Sequence, residues 1–398
     1  MRISTQGIHN SALGQLMSKS AALAKTQNQI ASGTRILTPA DDPIGAAQAL
    51  EIDRALAESA QHARNSTAAT NRLSLEEQTL GDTTSILQRI RDLTVQANNP
   101  TLDDVSRKSI QSEVTVRLKD LVDLANRKDT NGEYIFAGYS TLTQPFVQTG
   151  STVTYNGDEG TRVLQTGPSQ QVSDSHPGSE VFMNIKQGNG TFVTRADNGN
   201  QGSVAIDAGN VVNATAWVPD NYTVHFTSPT AYEVLDSTNT QVTTGTYNGT
   251  AGTISFNGIQ MTLQGTPATD DKFTIAPSAS EDVFKTVNDL IEALKRPTAS
   301  TSQNALFATD MGKALQQIDN VLERVGEVRS QTGARLAVLS DAEDDQADRQ
   351  LDLKTQLSQI RDLDYADAIT TLNIQLAGLQ AAQQSYAKIS GLNLFNYL

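Results

Sequence analysis

The residue types that carry out most protein chemistry are few and scattered in this sequence. Cysteine is absent from all 398 residues, which excludes a disulfide, a thiolate nucleophile and any cysteine-ligated zinc or iron–sulfur site. The four histidines lack the i, i+3 or i, i+4 spacing that would place two of them on one helix face. They are His9, His62, His176 and His225. We therefore expect no metal centre and no cofactor.

An acidic run at 341–345 begins like a calcium-binding loop. Such a loop needs a glycine at its sixth position and a bidentate glutamate at its twelfth. Counted from Asp341, those positions hold Gln346 and Asp352. The run is therefore interpreted as the solvated face of a helix.

The remaining candidate motifs predict turns. The segment 188–190, Gly-Asn-Gly, lacks the third glycine and the helix of a dinucleotide site. No Gly-x-Ser-x-Gly nucleophile motif is present, and the acidic pairs 158–159 and 270–271 lie in predicted turns, where aspartate commonly bonds its own backbone. The lone Trp217 is expected to fill a β core. The sequence does not exclude that two carboxylates from distant positions meet in space to hydrolyse a glycosidic bond. The interpretation is nevertheless that the chain is not an enzyme.

Composition restricts the partners and the location. The formal charge of −14 and the pI near 4.7 argue against nucleic acid and anionic membranes, since both select a basic face. No stretch approaches the roughly 20 apolar residues of a membrane span, and the first residues lack the pattern of a secretory signal. The chain is predicted to stay in the cytosol or to be exported without a cleaved signal peptide.

The middle of the chain differs from both ends. Residues 140–277 contain 15 of the 27 glycines and short β-branched runs separated by turn signals, which predicts an all-β insert. Predicted strands lie at 152–155, 222–226, 232–235, 253–256, 259–263 and 272–275. The dipeptides Asn156-Gly157 and Asn257-Gly258 both predict type I′ hairpin turns.

Both flanks of the insert are predicted to be helical. Met311, Ile318 and Val325 repeat at seven residues, and so do Leu73, Leu80 and Leu87. One unbroken helix is predicted from about 304 to 360. A first helix is predicted over residues 1–32, ending at Gly33, and a second begins after Asp41-Asp42, with an aspartate as N-cap and Pro43 in the first turn. The fold class is therefore α+β: a long antiparallel helical bundle built from both termini, with a central all-β insert.

The two terminal helices carry apolar heptads that need a partner helix. The simplest partner is the other terminus, and a neighbouring subunit is the second. Heptad stripes are more often an internal core than an oligomer interface, and periodicity does not choose between them. The candidate interface residues are Leu16, Leu23, Ile30, Ile369, Leu372, Leu376, Leu379, Tyr386, Ile389, Leu394 and Phe395.

Several segments resemble the bacterial flagellin family. Residues 29–47 resemble the amino-terminal flagellin signature, a helix ending in Ser-Gly before an Asp-Asp turn. Residues 132–138 and the carboxyl end at 368–398 are more similar to hook-associated members of the family than to flagellin. Residues 222–276 resemble a domain shared among hook-associated proteins, whereas 141–221 resemble nothing recognised from the sequence.

The resemblance implies a structural subunit at the junction of the flagellar hook and filament. It implies three layers: an inner polymerisation layer of 1–40 with 361–398, a helical rod of 41–139 with 278–360, and an outer β-rich domain of 140–277. It also implies an extracellular place in the flagellum, reached by type III export. The implied partners are further copies in a ring, the first hook-associated protein, flagellin, the filament cap protein and a cytosolic export chaperone.

Two other functions remain open on the sequence. The chain could be flagellin itself, which would polymerise alone into long filaments. It could instead be a secreted adhesin or carbohydrate-binding protein whose β insert acts on a helical stalk.

Overall fold

A computed structural model describes residues 5–391, and its side chains are described from Gly7 to Lys388 apart from that of Ile8. The described chain divides into two compact units. One unit, here called the terminal unit, combines residues up to 65 with those from 341 onward. The other, the central unit, is Ser66–Ser340.

Helices account for both ends of the chain. The predicted helix at about 304–360 is confirmed, and the first helix ends at Ser32 as predicted. The α-helices of the described residues are α1 Thr5–Ser32, α2 Pro43–Ala97, α3 Asp104–Ala125, α4 Gly178–Phe182, α5 Val283–Leu294, α6 Thr301–Arg361 and α7 Tyr365–Gly391. The acidic run at 341–345 lies on α6 with all four of its carboxylates exposed, as predicted.

The helical core of the central unit is formed by the heptads read from the sequence. Leu73, Leu80 and Leu87 of α2 are fully buried, and so are Met311 and Ile318 of α6. An aromatic cluster completes this core: Phe136, Phe146, Phe182 and Phe284 are fully buried, with neighbouring ring centroids 5.2–6.0 Å apart. The segment 132–138 enters this core because Ile135, Phe136 and Ala137 are buried.

The strands lie between α3 and α5, and all pairs are antiparallel. They form a five-stranded sheet in the order β11-β10-β9-β14-β6, a smaller sheet in the order β12-β13-β7 with β8 also on β13, and three two-stranded sheets. Two of these are the hairpins β1–β2 and β3–β4, and the third pairs β5 with β15. The strands are β1 Phe146–Thr149, β2 Thr152–Tyr155, β3 Val163–Gln165, β4 Gln171–Ser173, β5 Ile185–Lys186, β6 Phe192–Ala196, β7 Ala205–Ile206, β8 Asn210–Val211, β9 Tyr222–Ser228, β10 Ala231–Leu235, β11 Gln241–Thr246, β12 Ala251–Phe256, β13 Ile259–Gln264, β14 Lys272–Pro277 and β15 Ser280–Glu281. The predicted α+β fold is confirmed.

The inward faces of the two larger sheets share one apolar core. It contains Phe192, Val224, Phe226 and Phe273, all fully buried. Trp217 packs at its edge, with its ring 5.7 Å from that of Phe192, so it contributes to the core as predicted.

The two Asn-Gly predictions had opposite outcomes. Asn257 and Gly258 have φ of 44° and 76° and join β12 to β13 as a two-residue hairpin loop. The prediction for Asn156-Gly157 was wrong. The hairpin β1–β2 turns at Gly150, which precedes β2 and has a φ of 65°. Among the described residues, no strand that follows Asn156 pairs with β2.

A buried polar cluster fastens the segment after β4 to two helices of the central unit. His176 Nδ1 lies 2.7 Å from Glu76 Oε1 on α2, and His176 Nε2 lies 3.2 Å from Gln331 Oε1 on α6. Both ionisable side chains are 1% exposed. Burial raises the pKa of Glu76, and His176 and Arg335 oppose that rise.

The Glu76→Gln variant is expected to lose a pH dependence. Because the pKa of Glu76 is higher in the folded state, its contribution to stability is greatest in acid and falls as pH rises above the ordinary value of 4.5. Glutamine keeps the shape and does not ionise. Unfolding titrations should therefore show the variant gaining stability over the native chain with rising pH, and a constant difference from pH 4 to 8 would refute this explanation.

Candidate functional interface

The two terminal helices pair with each other in an antiparallel arrangement. The rings of His9 on α1 and Tyr386 on α7 meet edge to face with centroids 5.7 Å apart. At the other end, Thr34 forms a β-bridge with Asp362, and the Arg35 amide donates to the Arg361 carbonyl at 2.7 Å. The predicted pairing of the two termini is therefore correct.

The pairing register explains where the predicted interface residues lie. The contacts at the two ends join residues whose numbers add to 395 or 396. Extended along an antiparallel pair, this register puts Leu16 level with Leu379 and Leu23 level with Leu372. The half-buried candidates are Leu16, Leu23, Ile30, Leu372, Leu379 and Tyr386.

The other candidates divide into two groups. Ile369 and Leu376 are exposed, at 49% and 36%. The Ile389 side chain, Leu394 and Phe395 lie outside the described residues. The assignment of all eleven residues to a subunit interface stays a prediction.

Further apolar side chains of this helix pair face solvent. Met17 and Leu13 on α1 are 64% and 40% exposed, and Ile374 on α7 is 67% exposed. Sequence reasoning missed all three because they lie off the heptad stripe. Within the two helices, Thr26 and Ala368 are the only buried residues among the described side chains. Two helices with so little buried surface are marginal in water on their own.

Gly33 sets the path of the chain after α1. Its φ of 71° is the left-handed conformation that ends many helices, and its amide donates to the Gln29 carbonyl at 2.9 Å. A Cβ at this position would lie 2.9 Å from the Tyr365 hydroxyl at the start of α7. Arg35 then reaches back, donating from Nη2 to the Ile360 carbonyl at 2.7 Å.

Two adjacent aspartates build the turn into α2. Asp41 Oδ2 accepts from the amides of Leu37 and Thr38 at 3.1 and 2.9 Å, and Lys25 Nζ lies 2.7 Å from Asp41 Oδ1. Lys25 and these amides lower the pKa of Asp41 to about 2. The ionised carboxylate therefore supports the turn above its ordinary pKa of 3.8 and loses this role only as pH falls toward 2.

The second aspartate caps α2. Asp42 Oδ1 accepts from the Gly45 amide at 2.9 Å, and α2 begins at Pro43. The predicted aspartate cap and proline start are both confirmed. Asp364 does the same for α7, where its Oδ1 accepts from the Ala366 amide at 2.9 Å.

The Gly33→Ala variant is expected to loosen the helix pair by about 1–2 kcal/mol, because alanine is strained at positive φ and its Cβ would press on Tyr365. Hydrogen exchange should accelerate in α1 and α7. The matched control is Gly14→Ala, inside α1, where a Cβ would have open space and alanine favours the helix. Equal exchange in the two variants would refute the role assigned to Gly33.

An open groove of about 570 Å³ lies between α2 and α6 in the terminal unit. Its lining is Ala47, Gln48, Glu51, Ile52, Gln356, Gln359 and Ile360. With one carboxylate among amides and aliphatic side chains, the groove suits side-chain packing better than bond chemistry.

Within residues 5–391, no group of three or more histidine, aspartate or glutamate side chains is placed to hold a metal ion. None of the helices described is both long and apolar enough to cross a membrane.

Comparisons with known proteins identify the family to which this chain belongs. Residues 3–141 match the bacterial flagellin N-terminal helical region, and 193–277 match the D2-like domain of flagellar hook-associated protein 1. The second match contains the segment 222–276 that was recognised from the sequence. It begins at residue 193, so residues 193–221, for which the sequence showed no resemblance, also belong to a known domain.

Full-length relatives point the same way. Flagellar hook-associated protein 3 of Salmonella typhimurium strain LT2 is 26% identical over 99% of both chains. The crystal structure of Xanthomonas campestris FlgL is 35% identical, covers 77% of this chain and 99% of that one, and has a TM-score of 0.73. The chain belongs to the FlgL family. The flagellar junction protein FlgL from Legionella pneumophila is 33% identical over 79% of this chain and all of its own, with a TM-score of 0.72.

Membership in the FlgL family confirms the resemblance read from the sequence. The chain is a structural protein of the bacterial flagellum, of the hook-associated class. These relatives are structural flagellar proteins, which agrees with the interpretation that this chain is not an enzyme.

Proposed function

We propose that this chain forms the joint between hook and filament by packing its terminal helices against neighbouring subunits. The observation that supports this most is the α1–α7 pair, which exposes Met17, Ile374 and Ile369 while burying almost nothing inside itself. Helices of neighbouring subunits packed on those faces would bury this apolar area. Each Å² removed from water would stabilise the contact by about 25 cal/mol. The eleven candidate residues, with Leu13, Met17 and Ile374 added, would line that packing.

The mechanism is mechanical. Many shallow helix contacts share the load between subunits, and no covalent chemistry takes place. In this proposal, 1–40 with 361–398 form the inner layer, 41–139 with 278–360 the helical rod, and 140–277 the outer domain.

The proposed partners follow from this position. Copies of the chain would form a ring, with the first hook-associated protein on the hook side and flagellin with the filament cap protein on the other. A cytosolic chaperone would cover the apolar face of α7 before export, and export would leave the amino terminus uncleaved.

Before assembly, the terminal helices are expected to be cleaved by trypsin much faster than the central unit. Lys19 and Lys388 are exposed on helices that bury almost no side chain, so these helices open locally at little cost. Mass spectrometry of the fragments should show early cleavage at these lysines and a resistant fragment containing Ser66–Ser340. Terminal helices as resistant as that fragment would contradict the proposal.

The function is tested by deleting residues 365–398 in the native bacterium. The proposal predicts that hooks remain, that motility is lost, and that flagellin is shed into the medium instead of forming attached filaments. If the chain were flagellin, the protein shed into the medium would be the truncated chain itself and not a separate, intact flagellin. Normal attached filaments would overturn the proposal.

A further inference from the structure

The open groove between α2 and α6 belongs to a larger exposed face of the terminal unit. Ala47, Ile52 and Ile360 contribute its aliphatic lining. Ile44 lies about one helical turn before Ala47 and Gln48, so it is on the same face of α2, and it is 73% exposed. The chain's own α7 does not line the groove, because it is paired with α1.

A row of carboxylates, here called the acidic stripe, continues from the groove along α6. It consists of Asp341, Asp345, Asp348 and Asp352, spaced four, three and four residues apart, and the next step of four leads to Gln356 in the groove. Residues at this spacing share one face of a helix. All four carboxylates are exposed, and within the part of the chain that the structure describes none of them forms an ion pair.

The outer face of α7 carries a matching pattern. Ile374 and Lys388 are fourteen residues apart, which places them on one face of the helix and about 21 Å from each other. Ile374 is 67% exposed, and Lys388 is exposed as well. Lys388 is the only base of α7 and Asp367 its only acid.

We propose that α7 of a second copy of this chain docks on this face, antiparallel to α6, with Ile374 in the groove and Lys388 on the acidic stripe. The contact rests on the proposed function and specifies it, because it assigns a receiving surface to the exposed face of α7.

The spacing of the two patterns fits this orientation. The groove is centred near residue 358 of α6, and fourteen residues toward the amino end of that helix lies residue 344, next to Asp345. Asp367 would then reach the other end of α6, where the last residue is Arg361. A parallel orientation would instead bring Asp367 close to Asp352 and carry Lys388 past the end of α6.

Charge complementarity selects the occupant. Residues 341–352 contain six carboxylates and one base, Arg349, so they repel most of a chain whose net charge is −14. The terminal helices are the exception, since α1 and α7 together contain three bases and one acid. They are therefore the part of a second copy that the acidic stripe attracts.

The two copies use different surfaces in this contact. One contributes α7, and the other contributes α2 with α6. Such a heterologous contact repeats head to tail, and it closes into a ring when the rotation between copies allows. This agrees with the ring of copies proposed above.

Because the chain lacks cysteine, introduced cysteines test the contact in assembled flagella. Ile374→Cys and Gln356→Cys are placed on separate copies and co-expressed in cells that lack the native chain. Isolated flagella are oxidised mildly, and covalent dimers are measured on non-reducing gels. The matched control is Leu351→Cys, which is 65% exposed and lies five residues from Gln356, about 140° away around the helix. A second pair, Ser385→Cys with Asp348→Cys, leaves Ile374 and the groove native and should cross-link in the same way.

Ile374→Cys with Gln356→Cys is expected to give at least about tenfold more dimer than Ile374→Cys with Leu351→Cys, since docking raises the local thiol concentration. Either variant expressed alone should give no more than the control. Adding Lys388→Glu to the Ile374→Cys copy should lower the yield about threefold. Adding Asp345→Lys to the other copy should then restore it, which a purely apolar contact would not do.

Equal yields from Gln356→Cys and Leu351→Cys, in flagella that contain the chain, would overturn this contact and leave the proposed function standing. A loss in Lys388→Glu that Asp345→Lys does not restore would overturn the assigned orientation. A photoactivatable maleimide on Gln356→Cys that captured only flagellin or another hook-associated protein would overturn the choice of a second copy. Absence of the native chain from isolated flagella would overturn the proposed function and this contact together.

Discussion

The double variant Ile374→Asp, Leu376→Asp is expected to stay folded and to lose assembly. Ile374 is 67% exposed and Leu376 is 36% exposed, so the monomer loses little packing. In the assembly each side chain contributes about 1.5–3 kcal/mol when fully buried, and a carboxylate in its place adds a desolvation cost. We therefore expect association to weaken at least about a hundredfold.

The measurement is incorporation of the variant into flagella in cells that lack the native chain. The matched control places the same two charges on exposed valines of the outer domain, Val212→Asp with Val218→Asp, at 68% and 56% exposure. The control should assemble. Normal assembly of the α7 variant would show that this face of the helix does not contact a neighbour.

The Phe182→Ala variant is expected to lose about 3–5 kcal/mol of stability in the central unit, the usual effect of emptying a buried aromatic site. Phe182 is fully buried, and its ring lies 5.2 Å from Phe136 and 5.4 Å from Phe146. Denaturant unfolding followed by near-ultraviolet circular dichroism would measure the loss.

Leu142→Ala is the control for this variant, because Leu142 is 81% exposed. Its effect should stay within about 0.5 kcal/mol. A loss in Phe182→Ala as small as in Leu142→Ala would mean that the aromatic cluster does not hold the helical core together.

Periodic and local features of the fold were predictable from the sequence. The heptads through Leu73 and Met311 predicted buried stripes because a helix places residues seven apart on one face. The Gly33 stop and the Asp42 cap were predictable because a few neighbouring residues determine them.

Short strands and long-range contacts were not predictable in the same way. Asn156-Gly157 has the composition of a hairpin turn, but its role depends on which strand β2 pairs with, and that strand precedes β2. His176 and Glu76 lie 100 residues apart, and nothing near either one signals their buried contact. Strands of two or three residues, such as β7, carry too little pattern to be recognised.

The burial of the candidate interface residues was predictable in part. Leu16, Leu23 and Leu372 follow the heptad and are half-buried, so the pattern that identifies them also fits the pairing of α1 with α7 within the chain. The exposed residues Met17 and Ile374 lie off that pattern. Their exposure depends on how α1 and α7 pair in the fold, so the structure was needed to identify them.

Labelling the assembled flagellum would locate the chain between hook and filament. A Val212→Cys variant, in a chain that otherwise lacks cysteine, is expressed in place of the native protein and tagged with maleimide-gold for electron microscopy. One narrow band of label is expected where the hook meets the filament. Label along the whole filament, or none at the junction, would contradict it.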